Sequence, residues 1–342
     1  MSRQTVLLIF GGESSEHDVS IMSAGNVYRA INLEKYTVLL CYIDRNGKWW
    51  LFEQWQDDLK NHNGKHLAVN LGDSSVTIPE SNQSLNVDVL LPILHGENGH
   101  EDGSIQGLAN LAHIPVIGSG LGASAVCWDK LYTKQLLSAN SINVVPFYVY
   151  NTNDSMPSYD NLKTKLGETL FVKPTIAGSS IGVSKVRSES ELEPAIIQAL
   201  KHSSTVLIEK AIDGQELEVA VLGNPPYHAE SGVGEIIPGE EFYSYEDKYS
   251  SDSKAQVLTR ANISNDQKVA IQEVAHKAYQ LLGCKGLARI DFFMVSDGTL
   301  YINEFNTLPG FTSISQFPKL WAEQGIEYSQ LIDKIISLAL EQ

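Results

Sequence analysis

No apolar run in this sequence is long enough to cross a membrane. The opening stretch from Val6 to Phe10 stops at Gly11 and Gly12, which suits one buried strand and is too short for a signal-peptide core. Export is not expected, and a cytoplasmic protein is. Cysteine is scarce: Cys41, Cys127 and Cys284 are the only three. They have no CxxC spacing and sit in apolar or helical surroundings, which argues against a disulfide framework or a zinc site and predicts buried thiols. Basic residues are outnumbered, 25 Lys and Arg against 41 Asp and Glu, leaving a formal charge of −16. Nucleic-acid backbones and anionic membranes repel such a chain at long range, so neither is an expected partner. The common phosphate-binding motifs are missing as well. There is no GxxxxGK[ST] loop, no GxGxxG after a strand and no HExxH, so any phosphate chemistry must use another framework.

What is present is an ordinary globular composition, 342 residues with 43% hydrophobic and 19% charged, enough for two or three domains. A strand over 5–10, the loop GGESSEHDVS and an amphipathic run over 21–31 form a strand, loop and helix unit. Strands at 37–43 and 87–94, with IPVIGSG near residue 118, extend it into a parallel α/β layer. The helical stretch CWDKLYTKQLLSAN leads to strands at 144–150 and 170–173, then the small-residue loop PTIAGSSIG. Strands at 206–210 and 216–223 are expected to complete a compact central unit. The polar segment GEIIPGEEFYSYEDKYSSDSKAQ reads as a long functional loop. A helix over 265–282, the strands GLARIDFFMV and LYINEFN, and a closing amphipathic helix YSQLIDKIISLALE finish the chain. The fold class expected is α/β and α+β, with domains at 1–125, 126–223 and 224–342.

The strongest chemical signal is RIDFFMVSDGTLYINEFN, two strands joined by a tight turn. Period-two geometry puts Arg289 and Asp291 on one face, and likewise Glu304 and Asn306. Asp and Asn are poor strand formers, and hard oxygen donors of this kind suit Mg²⁺ held between protein and phosphates. The bland alternative is a solvated outer face. A second signal is lysine placement. Lys173 precedes the loop containing Gly178, Ser179 and Ser180, Lys130 lies on a helix, and Lys248 sits in the long loop. Each alone reads as a surface lysine; together with loop amides they are able to cradle a triphosphate.

These motifs resemble the D-alanine:D-alanine ligase family of ATP-grasp enzymes. The resemblance runs nearly end to end, through GGESSEHDVS, HGENGHEDGSIQG, VKPTIAGSSIG, EFYSYEDKY and NEFNTLPGFTS. It implies a three-domain ATP-grasp fold with an N-terminal parallel α/β domain. It implies a homodimer that uses ATP with two Mg²⁺ ions, Mn²⁺ serving as a substitute, to join two D-alanine molecules for peptidoglycan synthesis. By motif match, Glu16 holds the ammonium of the first D-alanine and His95 lines the same subsite. Lys130, Lys173, Ser180 and Lys248 attend the ATP phosphates; Glu209, Lys210 and Ile212 meet the adenine, and Glu216 the ribose. Asp291, Glu304 and Asn306 hold the metals. Arg289 and the N–H of Gly310 stabilise the oxyanion, Ser315 binds the second carboxylate, and Gln316 lines the second side-chain pocket. Ser179 and Tyr249 link the long loop to Glu16, closing it as a lid.

Three departures from the family pattern stand out. His100 reads as an insertion, expected as a harmless bulge on a surface loop. Gln316 replaces a more usual Leu or Met, and Asp18 a more usual Glu. Rival products are D-alanyl-D-lactate and D-alanyl-D-serine; resistance-type relatives carry Arg after the serine matching Ser315, and depsipeptide makers lose the loop tyrosine, whereas this chain has Gln316 and Tyr249. A non-catalytic sensor on the same fold would be marked by a lost metal ligand, and here all are present.

Overall fold

The computed structural model describes residues 3–56, 59, 62–96, 100–239, 254–312 and 315–341. Lys248, Tyr249 and the rest of the 240–253 stretch of the expected lid lie outside them.

Strand β1 (Gln4–Gly11) is flanked by two parallel neighbours, β2 (Tyr36–Ile43) and β8 (Val89–Ile93), each in unbroken register. A parallel strand covered on both faces needs apolar residues at every position, and that is why VLLIF shows no alternation. Val6, Leu8 and Phe10 enter one core, while Leu7 and Ile9 enter another on the opposite face. Helix α1 (His17–Ala30) begins four residues before the apolar periodicity does, because the polar residues His17 and Ser20 turn inward and hold the loop after β1. Ser20 Oγ accepts from Gly11 N and donates to Ile93 O, tying β1 to β8. The sheet continues antiparallel through β3 (Trp49–Phe52) and β4 (Lys65–His66). The 118 region joins it by a parallel bridge between Leu90 and Val116. A small antiparallel sheet, β5 (Ala68–Asn70), β6 (Ser75–Ile78) and β7 (Gln83–Asn86), was not legible in the sequence. Helix α2 (Ser104–Ala112) covers the second core.

The expected single helix around 127–140 is two, α3 (Leu121–Trp128) and α4 (Lys130–Ala139). Asp129 makes the break: its Oδ1 accepts from Leu131 N at 2.9 Å and Tyr132 N at 3.4 Å, capping α4. The central sheet is antiparallel, ordered β11 (Ser184–Val186), β10 (Leu170–Pro174), β12 (Thr205–Lys210) and β9 (Phe147–Asn151). Helices α5 (Tyr159–Leu166) and α6 (Glu189–Leu200) pack on it through their own cluster.

The last sheet corrects two expectations. Strand β13 (Gln215–Asn224), assigned by sequence to the central unit, hydrogen-bonds instead to β14 (Tyr227–Ile237) and β16 (Leu287–Met294). Residues 234–237 of the supposed long loop belong to β14, and Gln256 already begins β15 (Gln256–Leu258), which returns to pair with it. Strand β17 (Leu300–Asn306) closes the other edge. Helix α7 (Asn265–Leu281) lies on one face with α3 and α4. Cys127 and Cys284 meet there, their sulfurs 3.7 Å apart; all three thiols are buried and free, as their surroundings predict. Helices α8 (Gln316–Ala322) and α9 (Tyr328–Leu340) cover the opposite face. There Phe317, Leu331, Ile332 and Ile335 share one core with β1. That shared core fixes the first sheet against the last.

Because Asp129 sets where α4 starts, Asp129→Ala is expected to cost about 1 kcal/mol of stability, the usual value of a side-chain N-cap. Urea unfolding monitored by circular dichroism checks this; an unchanged midpoint would mean the cap contributes nothing.

Candidate active site

The three larger sheets enclose one cleft of about 960 Å³, and every described residue expected to bind substrate, nucleotide or metal or to act in catalysis lines it. The first loop, the central sheet and the last sheet each contribute one wall.

On the last sheet, strand register builds a row of acids. Asp291 on β16 lies opposite Glu218 on β13 and opposite Glu304 on β17, so three carboxylates stand side by side across three strands. The next row places Arg289 beside Asn306. Arg289 makes a two-pronged pair with Asp291, Nε to Oδ1 at 2.7 Å and Nη2 to Oδ2 at 2.8 Å, and stands 3.3 Å from Glu218. Asn306 Nδ2 donates to Asp291 Oδ2 at 3.1 Å. Burial alone would lower the Arg289 pKa, but Asp291 and Glu218 outweigh it and hold the guanidinium charged. A bulge between Asp291 and Phe292 interrupts strict alternation on β17. Asn303 therefore faces the cleft along with Glu304, and Lys173 Nζ donates to its Oδ1 at 3.4 Å. Neither Glu218 nor Asn303 was singled out from sequence. Glu218 sits in an apolar strand at an alternate position, a signal that was there to be read; Asn303 depends on the bulge, which left none.

The central wall is cationic. Lys173 on β10 lies 2.6 Å from Glu209 Oε2, and Lys134 on α4 lies 2.9 Å from Oε1. Both oxygens of Glu209, expected at the adenine, are thus engaged by lysines. Burial pushes the Glu209 carboxyl up, but Lys134 and then Lys173 outweigh it and hold it below the ordinary range. Burial is the dominant cause for Lys134, whose pKa is pushed down to about 8 despite Glu209. Lys134 was missed by sequence, although it stands one helical turn after Lys130 on the same face. Lys130 Nζ donates to Ala177 O at 2.6 Å and lies 3.6 Å from Glu304. The neighbouring loop carries Ser179 and Ser180 at φ +50° and +59°, consecutive left-handed residues that turn the backbone around the cleft.

The first loop brings Glu16, buried at 6% exposure, against this wall. Ser179 Oγ donates to Glu16 Oε1 at 2.5 Å, the link anticipated from sequence; Tyr249, its third member, lies outside the described residues. Gly96, at φ +84°, leaves room for Glu16, since a Cβ there would come within 2.9 Å of Oε2. His95 is buried beside it, Nδ1 3.2 Å from Leu308 O and 3.8 Å from Glu101. Burial works against a charged His95, but Glu101, then Glu16, prevail and raise its pKa. Burial in turn raises that of Glu101, with His95 opposing. His100 corrects an expectation. It is no surface bulge but only 3% exposed, its Nδ1 lies 3.3 Å from His95 O, and its ring fills the space that Gly12 leaves open at φ +99°.

The last corner holds Gly310, Ser315 and Gln316. Ser315 Oγ accepts from Thr312 N at 3.0 Å and faces Gly310. Gln316 Nε2 donates to Leu258 O at 2.7 Å, and its buried Oε1 has no hydrogen-bond partner among the described residues. The wall between Phe171, Ile212, Leu217 and Phe292 is apolar. The cleft thus combines an apolar slot, a cationic middle and an all-oxygen row of Asp291, Glu304 and Asn306, a donor set matched to a hard divalent cation beside phosphates.

Lys134 yields a pH prediction. Its folded pKa of about 8 lies below its ordinary 10.5, so between these values the unfolded chain binds more protons. The cost is fully present below pH 8, and stability rises with pH above it, by on the order of 1 kcal/mol per pH unit. Chemical unfolding of the protein and of Lys134→Met from pH 7 to pH 10 is expected to show this rise only in the former; parallel curves would mean Lys134 does not titrate as its burial requires.

Residues 5–119 match the family model described as D-ala D-ala ligase N-terminus, and residues 136–337 match D-ala D-ala ligase C-terminus. The chain is 43% identical over 357 residues to D-alanine–D-alanine ligase A of Chromobacterium violaceum, covering all of this chain and 96% of that protein. Among solved structures, the D-alanine–D-alanine ligase from Coxiella burnetii superposes with a TM-score of 0.90 at 31% identity, over 100% of this chain and 95% of that one. VanG D-Ala:D-Ser ligase from Enterococcus faecalis superposes at 0.89 and 34% identity, over 99% and 100%. With the ATP-grasp architecture matched end to end and both halves of the family model present, the chain belongs to the D-alanine–D-alanine ligase family.

Proposed function

We propose that this chain joins two D-alanine molecules into D-alanyl-D-alanine, converting ATP to ADP and phosphate. The observation that carries the reading is the meeting, in one cleft, of the Glu16 carboxylate, the Lys130 and Lys173 ammoniums and a hard-oxygen row, in a chain matched to the family over its length.

A carboxylate resists an amine because it is already anionic and has no good leaving group. Phosphorylation by ATP removes both obstacles. The carboxylate oxygen of the first D-alanine attacks the γ-phosphorus, ADP departs, and an acyl phosphate remains. Glu16 holds the ammonium of that substrate, in a subsite that His95 lines. Lys130 and Lys173 draw charge from the phosphates, and Ser180 contributes to the covering loop. Glu209 anchors Lys173 and Lys134, while Lys210, Ile212 and Glu216 line the nucleoside end. Asp291, Glu304 and Asn306 hold two Mg²⁺ ions, or Mn²⁺, which when bound supply positive charge to the polyphosphate. The amine of the second D-alanine, its carboxylate on Ser315, then attacks the acyl carbon. Arg289 and the Gly310 N–H stabilise the tetrahedral oxyanion until phosphate leaves. Lys248 and Tyr249 belong to the lid that keeps water from the acyl phosphate.

The reaction supplies peptidoglycan precursors in the cytoplasm, and the working form is a homodimer. The charge of −16 disfavours nucleic acid and anionic membranes as partners; among the described residues no helix is long and apolar enough to cross a membrane. The three domains we propose are 1–125, 126–223 and 224–342, with β13 of the second pairing within the last sheet.

A second reading, D-serine as the second substrate, is favoured by one feature: Oε1 of Gln316 at the second pocket, which has no partner among the described residues, is an acceptor for a hydroxyl. ADP release and product analysis with D-alanine, D-serine and D-lactate separate the readings. D-alanyl-D-alanine is expected to dominate; a dominant mixed product would replace it. Glu304→Gln is expected to lower turnover by on the order of 10³-fold, because a neutral amide stands where metal and triphosphate need charge, with the unfolding midpoint little changed. Near-normal turnover would remove Glu304 from the metal site.

A further inference from the structure

At the far end of the last sheet from the cleft, β14 and α7 bring together three side chains that the reaction does not use. His228 and Glu230 are two residues apart on β14 and so share a face. His276 meets them from α7. One ligand atom from each lies within 4.8 Å of the others. His228 lies eight positions along β14 from the cleft residue Ile236, about 26 Å at strand rise.

The arrangement is poorly explained as packing alone. The His228 side chain is 0% exposed, yet among the described residues neither ring nitrogen makes a hydrogen bond of ordinary geometry. A buried imidazole with both nitrogens unmet carries a desolvation penalty that a simple apolar side chain would avoid. Its Nε2 points toward Glu230, 3.7 Å from Oε1, and the same oxygen lies 2.8 Å from His276 Nδ1. The two imidazoles stack with centroids 4.1 Å apart at 21°, an arrangement in which two protonated rings would repel. Burial, followed by the neighbouring His276, lowers the His228 pKa.

We infer that His228, Glu230 and His276 form a binding site for a divalent transition-metal ion, zinc being the natural occupant. Two imidazoles and one carboxylate are a ligand set for such ions, and the nitrogens select against Mg²⁺. The cysteine spacing argues against zinc, but these ligands contain no cysteine. His276 is 40% exposed and lies on the solvent side, giving the ion a route in and the freedom to close to bonds of about 2.0–2.1 Å. Water completes the coordination. The ion joins α7 to β14 and so stiffens the end of the sheet opposite the cleft.

The test uses the full chain, stripped with chelator and returned to excess Mg²⁺ so that the oxygen-lined cleft is occupied. Titration with ZnCl₂ in a calorimeter is expected to show one equivalent bound, and His276→Gln and Glu230→Gln to bind at least about tenfold more weakly. Both variants are expected to keep D-alanine-dependent ADP release, which shows that they fold. Cobalt provides a measurement that needs no variant: four-coordinate Co²⁺ with imidazole ligands absorbs strongly in the visible, whereas six-coordinate oxygen-bound Co²⁺ absorbs weakly. The proposal is overturned if the unaltered protein binds no zinc, if both variants bind it equally well, or if bound cobalt shows only the weak six-coordinate spectrum.

Discussion

Three carboxylates in register on three adjacent strands repel one another, and the architecture of the last sheet depends on how that repulsion is met. Glu218, Asp291 and Glu304 occupy directly opposed positions, where β-carbons lie about 4.5–5.5 Å apart. Unit charges at that spacing oppose each other by about 3 kcal/mol at an effective dielectric near 20. Arg289, one row away, takes both oxygens of Asp291 and approaches Glu218, while Lys130 approaches Glu304. The acids are therefore held in place by cations that do not belong to their own row. Binding of a divalent cation would share that task, which is the physical sense in which such a row is prepared for metal.

The same logic joins the sheets. Lys134 rises from a helix that packs on the last sheet, Lys173 comes from the central sheet, and Glu209 on the central sheet binds both. Two buried ammoniums so near each other persist only because one carboxylate lies between them, and burial, with Lys173 adding to it, depresses the Lys134 pKa. The pair locates the cationic wall relative to the acidic row. From the third side, the core shared by β1, α8 and α9 carries the loop bearing Glu16 to the same place, where Ser179 clasps it. Three separate packing solutions thus converge on one volume.

Much of this was legible beforehand, and the reasons differ by element. β1 declared itself because a strand covered on both faces has no polar positions, and β16 and β17 because Asp and Asn interrupt otherwise apolar strands. Ser179 and Glu16 were paired by motif resemblance and met in the structure. By contrast, β13 looked like a partner of β12, its neighbour in sequence, because periodicity reports burial and says nothing about which strand lies alongside. The helix around 127–140 looked continuous because Asp129 reads as an ordinary polar residue until its carboxylate is seen to cap two amides. His100 looked like a loop insertion, and a histidine fits a surface as well as a pocket when the glycine that makes room for it lies some ninety residues away at Gly12.

The sequence by itself determined which residues could do chemistry, since charge, hydrogen-bonding capacity and backbone freedom are properties of residue types and survive any fold. It also determined the local elements wherever hydrophobic period was strong. Only the tertiary structure decided which of those residues share a volume. The row of Glu218 with Asp291, the place of Asn303 after a bulge, the double engagement of Glu209 and the meeting of His228, Glu230 and His276 all rest on contacts between distant segments. Those contacts follow from strand pairing and side-chain packing, whose energies depend on partners brought close in space and leave no periodic trace along the chain.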